Sequence, residues 1–235
     1  MVVNRVILSS LAAASLFVAP TAALAQNTGT RIGTNAKAKD VGKLTQLLAE
    51  CVAERRPAMV RTWFNELPGT KAEGDYIERQ EGDLSICLED KHLVFAGVRE
   101  MVYTPKSLRY PIAVAFARLN LRKTDATPAG LNPDSTPWFA APLAALPAGQ
   151  DIDKVALAFQ DYGHCVASMN WQGARALLLS EPNSPAEGAA IKMLMPTLGP
   201  CLDANAKLEL TPHNLRIALA EPMLHILSAS GNQGG

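Results

Sequence analysis

The chain has 235 residues, 22 of them lysine or arginine and 22 aspartate or glutamate, and 48% are apolar. That composition is ordinary for a globular protein and argues against global disorder. The balanced charge argues against a general nucleic-acid binder, which needs basic surplus to displace counterions from phosphate, and against a polybasic membrane-surface protein.

Residues 1–25 read as a secretory signal peptide. Arg5 is the one early charge, an apolar run follows from Val6 to Val18, and Pro20 breaks it. Ala23, Leu24 and Ala25 give the small-x-small pattern that a signal peptidase accepts, so Gln26 is expected to begin the mature chain. The run falls short of the about 20 apolar residues that a membrane anchor needs. No cysteine lies near the cut, so no lipid anchor is expected. The mature chain would have 210 residues, a net charge of −1 and no later segment apolar enough to span a bilayer. The signal resembles bacterial ones, which places the protein in the periplasm or outside the cell, where cysteines pair.

Residues 26–39 are polar and expected to be disordered. Val41, Leu44, Leu47, Leu48, Cys51 and Val52 then share one face of a 3.6-residue period, which predicts a helix. Pro57 suits the first turn of a second helix, whose apolar side is Met59, Val60, Trp63, Phe64 and Leu67; Pro68 and Gly69 stop it. A third helix is expected from Thr70, which forms a capping box with Glu73, and carries Cys87 near its end. His92 to Tyr103 has β-leaning residues and suggests a short extended piece. A fourth helix begins at Thr104-Pro105, and Pro111 should kink or end it. Residues 121–150 hold Pro128, Pro133, Pro137, Pro142 and Pro147, a spacing that excludes long helices. Trp138, Phe139, Leu143 and Leu146 make this segment more apolar than a solvated linker, so part of it is expected to pack as a strap.

The remainder repeats the first unit. Cys51 and Cys87 are 36 residues apart, as are Cys165 and Cys201. Sliding the chain by 114 residues aligns 51–88 with 165–202, with 12 of 38 positions identical. Unrelated segments would give roughly two or three matches. Arg61 falls on Arg175, Glu73 on Glu187 and Gly74 on Gly188. With an offset of 107, Thr104, Pro105, Leu108 and Arg109 fall on Thr211, Pro212, Leu215 and Arg216. Ser184 and Glu187 repeat the capping box, Pro185 stands at the first helical position, and Pro222 threatens the last helix as Pro111 does the fourth. The expected fold is all-α: a tandem duplication of a roughly four-helix unit, over 40–120 and 151–228, with a disordered tail at 229–235. A unit that folded before it was copied would close its own bond, which predicts buried Cys51–Cys87 and Cys165–Cys201 disulfides, each tying a first helix to a third.

Catalytic chemistry leaves little trace. The four histidines, His92, His164, His213 and His225, are scattered, and no His-x-x-x-His occurs. Asp151 and Asp153 do not continue into a calcium loop. There is no Gly-x-Ser-x-Gly elbow, no phosphate-binding glycine loop and no redox Cys-x-x-Cys. Asp75, Glu78 and Glu81 suit a solvated helix face better than a carboxylate pair. No catalytic residue, metal or cofactor is therefore expected. The matched arginines, Arg61, Arg175, Arg109 and Arg216, are either structural ties or a duplicated anion site. The expected function is a non-catalytic binding module of the bacterial envelope, its partner a protein or a small molecule. Two alternatives stand beside it. One is a hydrolase-like envelope enzyme whose site converges from both copies, using His164, His213 or several of Asp75, Glu78, Asp151 and Asp153. The other is a periplasmic chaperone or stress protein.

Overall fold

The structure, a computed structural model, describes residues 31–32, 38–89, 101–202 and 209–231. The expected signal peptide, its cut between Ala25 and Gln26, His92 and the last four residues of the tail lie outside the described residues. The regular elements of the described chain are helices, apart from one two-residue strand pairing. Strand β1 (Arg31–Ile32) runs antiparallel to β2 (Met101–Val102), with Arg31 opposite Val102. Arg31–Ile32 thus has its partner in the expected extended piece.

Helices α1 (Ala38–Arg55), α2 (Pro57–Phe64), α3 (Lys71–Arg79), α4 (Glu81–Leu88) and α5 (Pro105–Leu121) make the first half. A short α6 (Ala140–Ala145) lies in the proline-rich segment. Helices α7 (Lys154–Met169), α8 (Trp171–Leu179), α9 (Pro185–Leu198) and α10 (Pro212–Ala229) make the second. The expected third helix of the first half is two helices. Gln80, at φ −99° and ψ 9°, leaves the helical region between α3 and α4. In the second half α9 ends at Leu198, so Cys201 sits in the following turn, beyond Gly199 and Pro200.

The two disulfides are Cys51–Cys87 and Cys165–Cys201, with Cα atoms 5.8 and 5.7 Å apart. Only Cys87 is fully buried, and Cys51, Cys165 and Cys201 are half-buried. The expectation of two buried bonds fails because the second bond closes on an open turn rather than on a helix face.

The helix starts follow from their caps. The Thr70 and Ser184 hydroxyls accept from the Glu73 and Glu187 backbone N–H groups, both at 3.2 Å. The glutamates reach one residue further back than a simple capping box. Glu73 Oε2 accepts from Gly69 N at 2.6 Å, and Glu187 Oε2 from Asn183 N at 2.7 Å. Gly69 and Asn183, 114 residues apart, both take positive φ, at 79° and 60°. Glycine suits this conformation, and asparagine is the side chain that tolerates it well.

Pro111 and Pro222 do not end their helices, since α5 and α10 run through them. Each proline removes its own N–H and sets its ring against the carbonyl four residues back. For Pro222 the donorless carbonyl one turn back is that of Ala218. Gly163 of α7 lies against that carbonyl, so closely that a Cβ there would sit 1.8 Å from the oxygen.

Helix α1 packs along α5, α7 along α10, and α10 also against α5. One core results, with Leu48, Val52, Trp63, Ile112 and Phe116 of the first half joined to Val166, Leu177, Leu194 and Leu219 of the second. The proline-rich segment adds a smaller cluster, in which Phe139 packs with Leu67 and Leu157, flanked by Trp138, Leu143, Leu146 and Ile152.

Candidate functional site

Two polar constellations stand out, one buried and one open. The buried one centres on Arg109, only 1% exposed. Its Nη1 donates to Glu73 Oε1 at 2.6 Å, its Nε to Glu221 Oε2 at 2.9 Å, and its Nη2 to Glu221 Oε1 and to the Glu66 carbonyl. Trp63 Nε1 also donates to Glu73 Oε1, at 3.1 Å. One guanidinium is thus shared by two buried carboxylates from α3 and α10. Burial pushes the Glu221 carboxyl up, but Arg109 and His225 outweigh it and hold it below the usual range. Arg216 ties Glu187 in the second half at 2.9 Å and donates to the Ser180 carbonyl and hydroxyl.

The four matched arginines do not converge. Arg216 is engaged by a carboxylate of its own half, and Arg109 by one from each half. Arg175 donates to the Leu121 and Thr124 carbonyls, both at 3.1 Å, at the end of α5. The Arg61 guanidinium lies 5.8 Å from the Phe116 ring centre.

The open constellation is a groove of about 270 Å³ between residues 128–138, α7 and α10. Its loop wall is fixed by turn chemistry. Asn132 Oδ1 accepts from Asp134 N at 3.0 Å, and the Asn132 carbonyl accepts from Ser135 N. The loop is tied to α7 twice. Trp138 Nε1 donates to Gln160 Oε1 at 2.7 Å, and Ser135 Oγ lies 3.0 Å from His164 Nε2. The Trp138 ring stacks on His225 of α10, with centres 4.1 Å apart and planes 12° apart. Burial lowers the His164 pKa, with Asp161 and the Ser135 backbone opposing.

Serine beside histidine invites a nucleophile–base reading. The hydrogen-bond geometry weighs against it. Ser135 Oγ also donates to the Asn132 carbonyl, at 2.7 Å. A carbonyl can only accept and a hydroxyl has one proton, so while Ser135 donates to Asn132, His164 Nε2 can meet its oxygen only as a donor. In that arrangement it cannot take the serine proton.

The other residues read from the sequence are dispersed. Asp75 pairs with Lys71 on α3. Asp153 caps α7 and pairs with Lys106 at 2.7 Å. Burial raises its carboxyl, but Lys106 and the Ala156 N–H outweigh that and lower it. His213 stands in the first turn of α10, held below its ordinary value by partial burial and Arg216. Glu78 and Asp151 are exposed. Among the described residues no group of three His, Cys, Asp or Glu side chains is placed to hold a metal, and no helix is long and apolar enough to cross a membrane.

The residues that sequence reasoning passed over are Glu221, Ser135, Gln160 and the Trp138–His225 stack. Glu221 left a signal. It is the one acid in the apolar run from Ile217 to Leu227, with His225 four residues on. Comparison with known proteins adds nothing to this site: no family model, curated protein or solved structure matches the chain.

Proposed function

We propose that the chain is an exported, tandemly duplicated helical module of the bacterial envelope, that it is non-catalytic, and that it binds a small molecule in the Trp138–His164–His225 groove. Export rests on the N-terminal pattern, and the two disulfides are compatible with it. Duplication is supported by features recurring 114 residues apart: equal disulfide spans, a left-handed residue before each cap, and a glutamate held by an arginine from a later helix. On that reading residues 40–120 and 151–228 are the copies, and 121–150 is the strap that closes the groove.

One observation carries the binding role. The groove is walled by an indole already fixed by three partners, beside a serine whose proton is committed elsewhere. Such a site is built to hold a ligand and not to activate a nucleophile. The arginines then serve the fold.

The test is an NMR screen of the full oxidised chain against a small-molecule library. A binding module shows ligands that move the Trp138 indole N–H signal without being consumed. The second reading, a hydrolase, has the 3.0 Å Ser135–His164 contact in its favour. Ester turnover lost in Ser135→Ala would replace the binding reading with that one.

A further inference from the structure

From the groove's lining we infer its ligand class: an uncharged saccharide ring, seated against Trp138. This inference rests on the binding role proposed above. Charged residues make up 19% of the chain, yet none of the 14 residues lining the groove is Asp, Glu, Lys or Arg. A groove without a counter-charge offers an ionic ligand no ion pair in return for the hydration it sheds there. Half of the lining, including Asn132, Thr136, Ser168 and Ser230, carries a hydroxyl, a carboxamide or an imidazole. An apolar ligand would strip water from those groups and return no hydrogen bonds.

The remaining class has both characters: many hydroxyls around its edge and a face of C–H groups. The groove supplies the matching aromatic plane. Trp138 is held by the 2.7 Å bond to Gln160, by the stack on His225 and by Phe139 edge-on at 6.1 Å. A ring so fixed loses little freedom when a ligand docks. About 270 Å³ suits one or two sugar rings. The second groove, of about 230 Å³ between α1 and α5, shows the contrast, since it is lined by Glu50, Glu54, Arg118, Arg122 and Glu181.

The full chain, with both disulfides formed, is tested on immobilised neutral glycans built from glucose, galactose and N-acetylglucosamine, and on sulfated and uronic-acid glycans. Uncharged aromatic heterocycles form a third arm, read by the Trp138 indole signal. We expect neutral glycans to bind. Trp138→Ala should weaken binding by about tenfold or more. Ala229→Trp, which fills the groove from α10 and removes no contact, should do the same, and Arg122→Ala in the second groove should leave affinity unchanged. Binding of anionic glycans alone, no glycan binding at millimolar concentration, or binding that survives Ala229→Trp overturns the assignment. Heterocycles that move the Trp138 signal when glycans do not would end the saccharide inference and keep the groove as a binding site. Silence in every arm would end both.

Discussion

Arg109 is the residue on which the two halves meet, and its arithmetic is unbalanced. One guanidinium faces two carboxylates, Glu73 at 2.6 Å and Glu221 through two of its nitrogens. Removing the cation leaves two buried carboxylates without the guanidinium that ties them together. Arg109→Met should therefore cost about 3–5 kcal/mol, measured by urea unfolding. Arg109→Lys keeps the charge but loses the fork and should fall between. A loss below about 1 kcal/mol for Arg109→Met would show that the pair is not a tie.

The same cluster sets a pH dependence, worked out by sign. The Glu221 carboxyl is depressed in the fold. Its contribution is complete above the unfolded carboxylate value of about 4.3 and is lost as pH falls toward the folded value. The His164 pKa is also depressed, so the unfolded chain binds its proton first. That loss begins as pH falls below about 6.5. The melting temperature should thus decline in two stages on acidification. His164→Asn should shrink the upper stage, which His213 shares, and Glu221→Gln the lower, which Asp153 shares, and an unchanged profile in both would contradict the assignment. Arg109 was legible as a repeated residue, and its role was one of two open readings. Glu221 was legible only as a lone acid in an apolar run, because the first half has Val114 at the matching position and the internal match could not flag it.

At the scale of elements, starts were more legible than ends. Thr70, Thr104, Ser184 and Thr211 cap helices as the sequence indicates. The ends were misread where tertiary contact overrode local preference. Pro222 does not end α10, because the apolar faces of α10 are buried against both α5 and α7. The contact with Gly163 makes a sharp test. Gly163→Ala places a methyl where the Ala218 carbonyl sits and must push α7 from α10, so it should destabilise by about 1–3 kcal/mol or more. Gly188→Ala, on the open side of α9, meets nothing within 4 Å and should stabilise by about 0.5–1 kcal/mol. Equal effects at the two glycines would refute the close approach. Each disulfide spans 36 residues, and loop-closure entropy gives it about 3–4 kcal/mol. Cys51→Ser with Cys87→Ser should cost that much in chemical denaturation.

Across the whole molecule, spacing made the helical class and the cysteine pairing readable, because both depend on contacts inside each half. Contacts between distant segments stayed hidden. Trp138 and His225 belong to no shared period, and nothing in either stretch announces that their rings stack. The relative placement of the halves was equally unreadable, since the match between the two sequence segments says nothing of an interface. The interface proves to be continuous: α10 packs on α5, Arg109 binds Glu221 across it, and the core runs through both sides. Two independent modules would melt separately, whereas halves sharing a core melt together. Differential scanning calorimetry of the oxidised chain is the direct test. The account predicts one transition whose calorimetric and van't Hoff enthalpies agree, and two resolved transitions, one for each half, would contradict it.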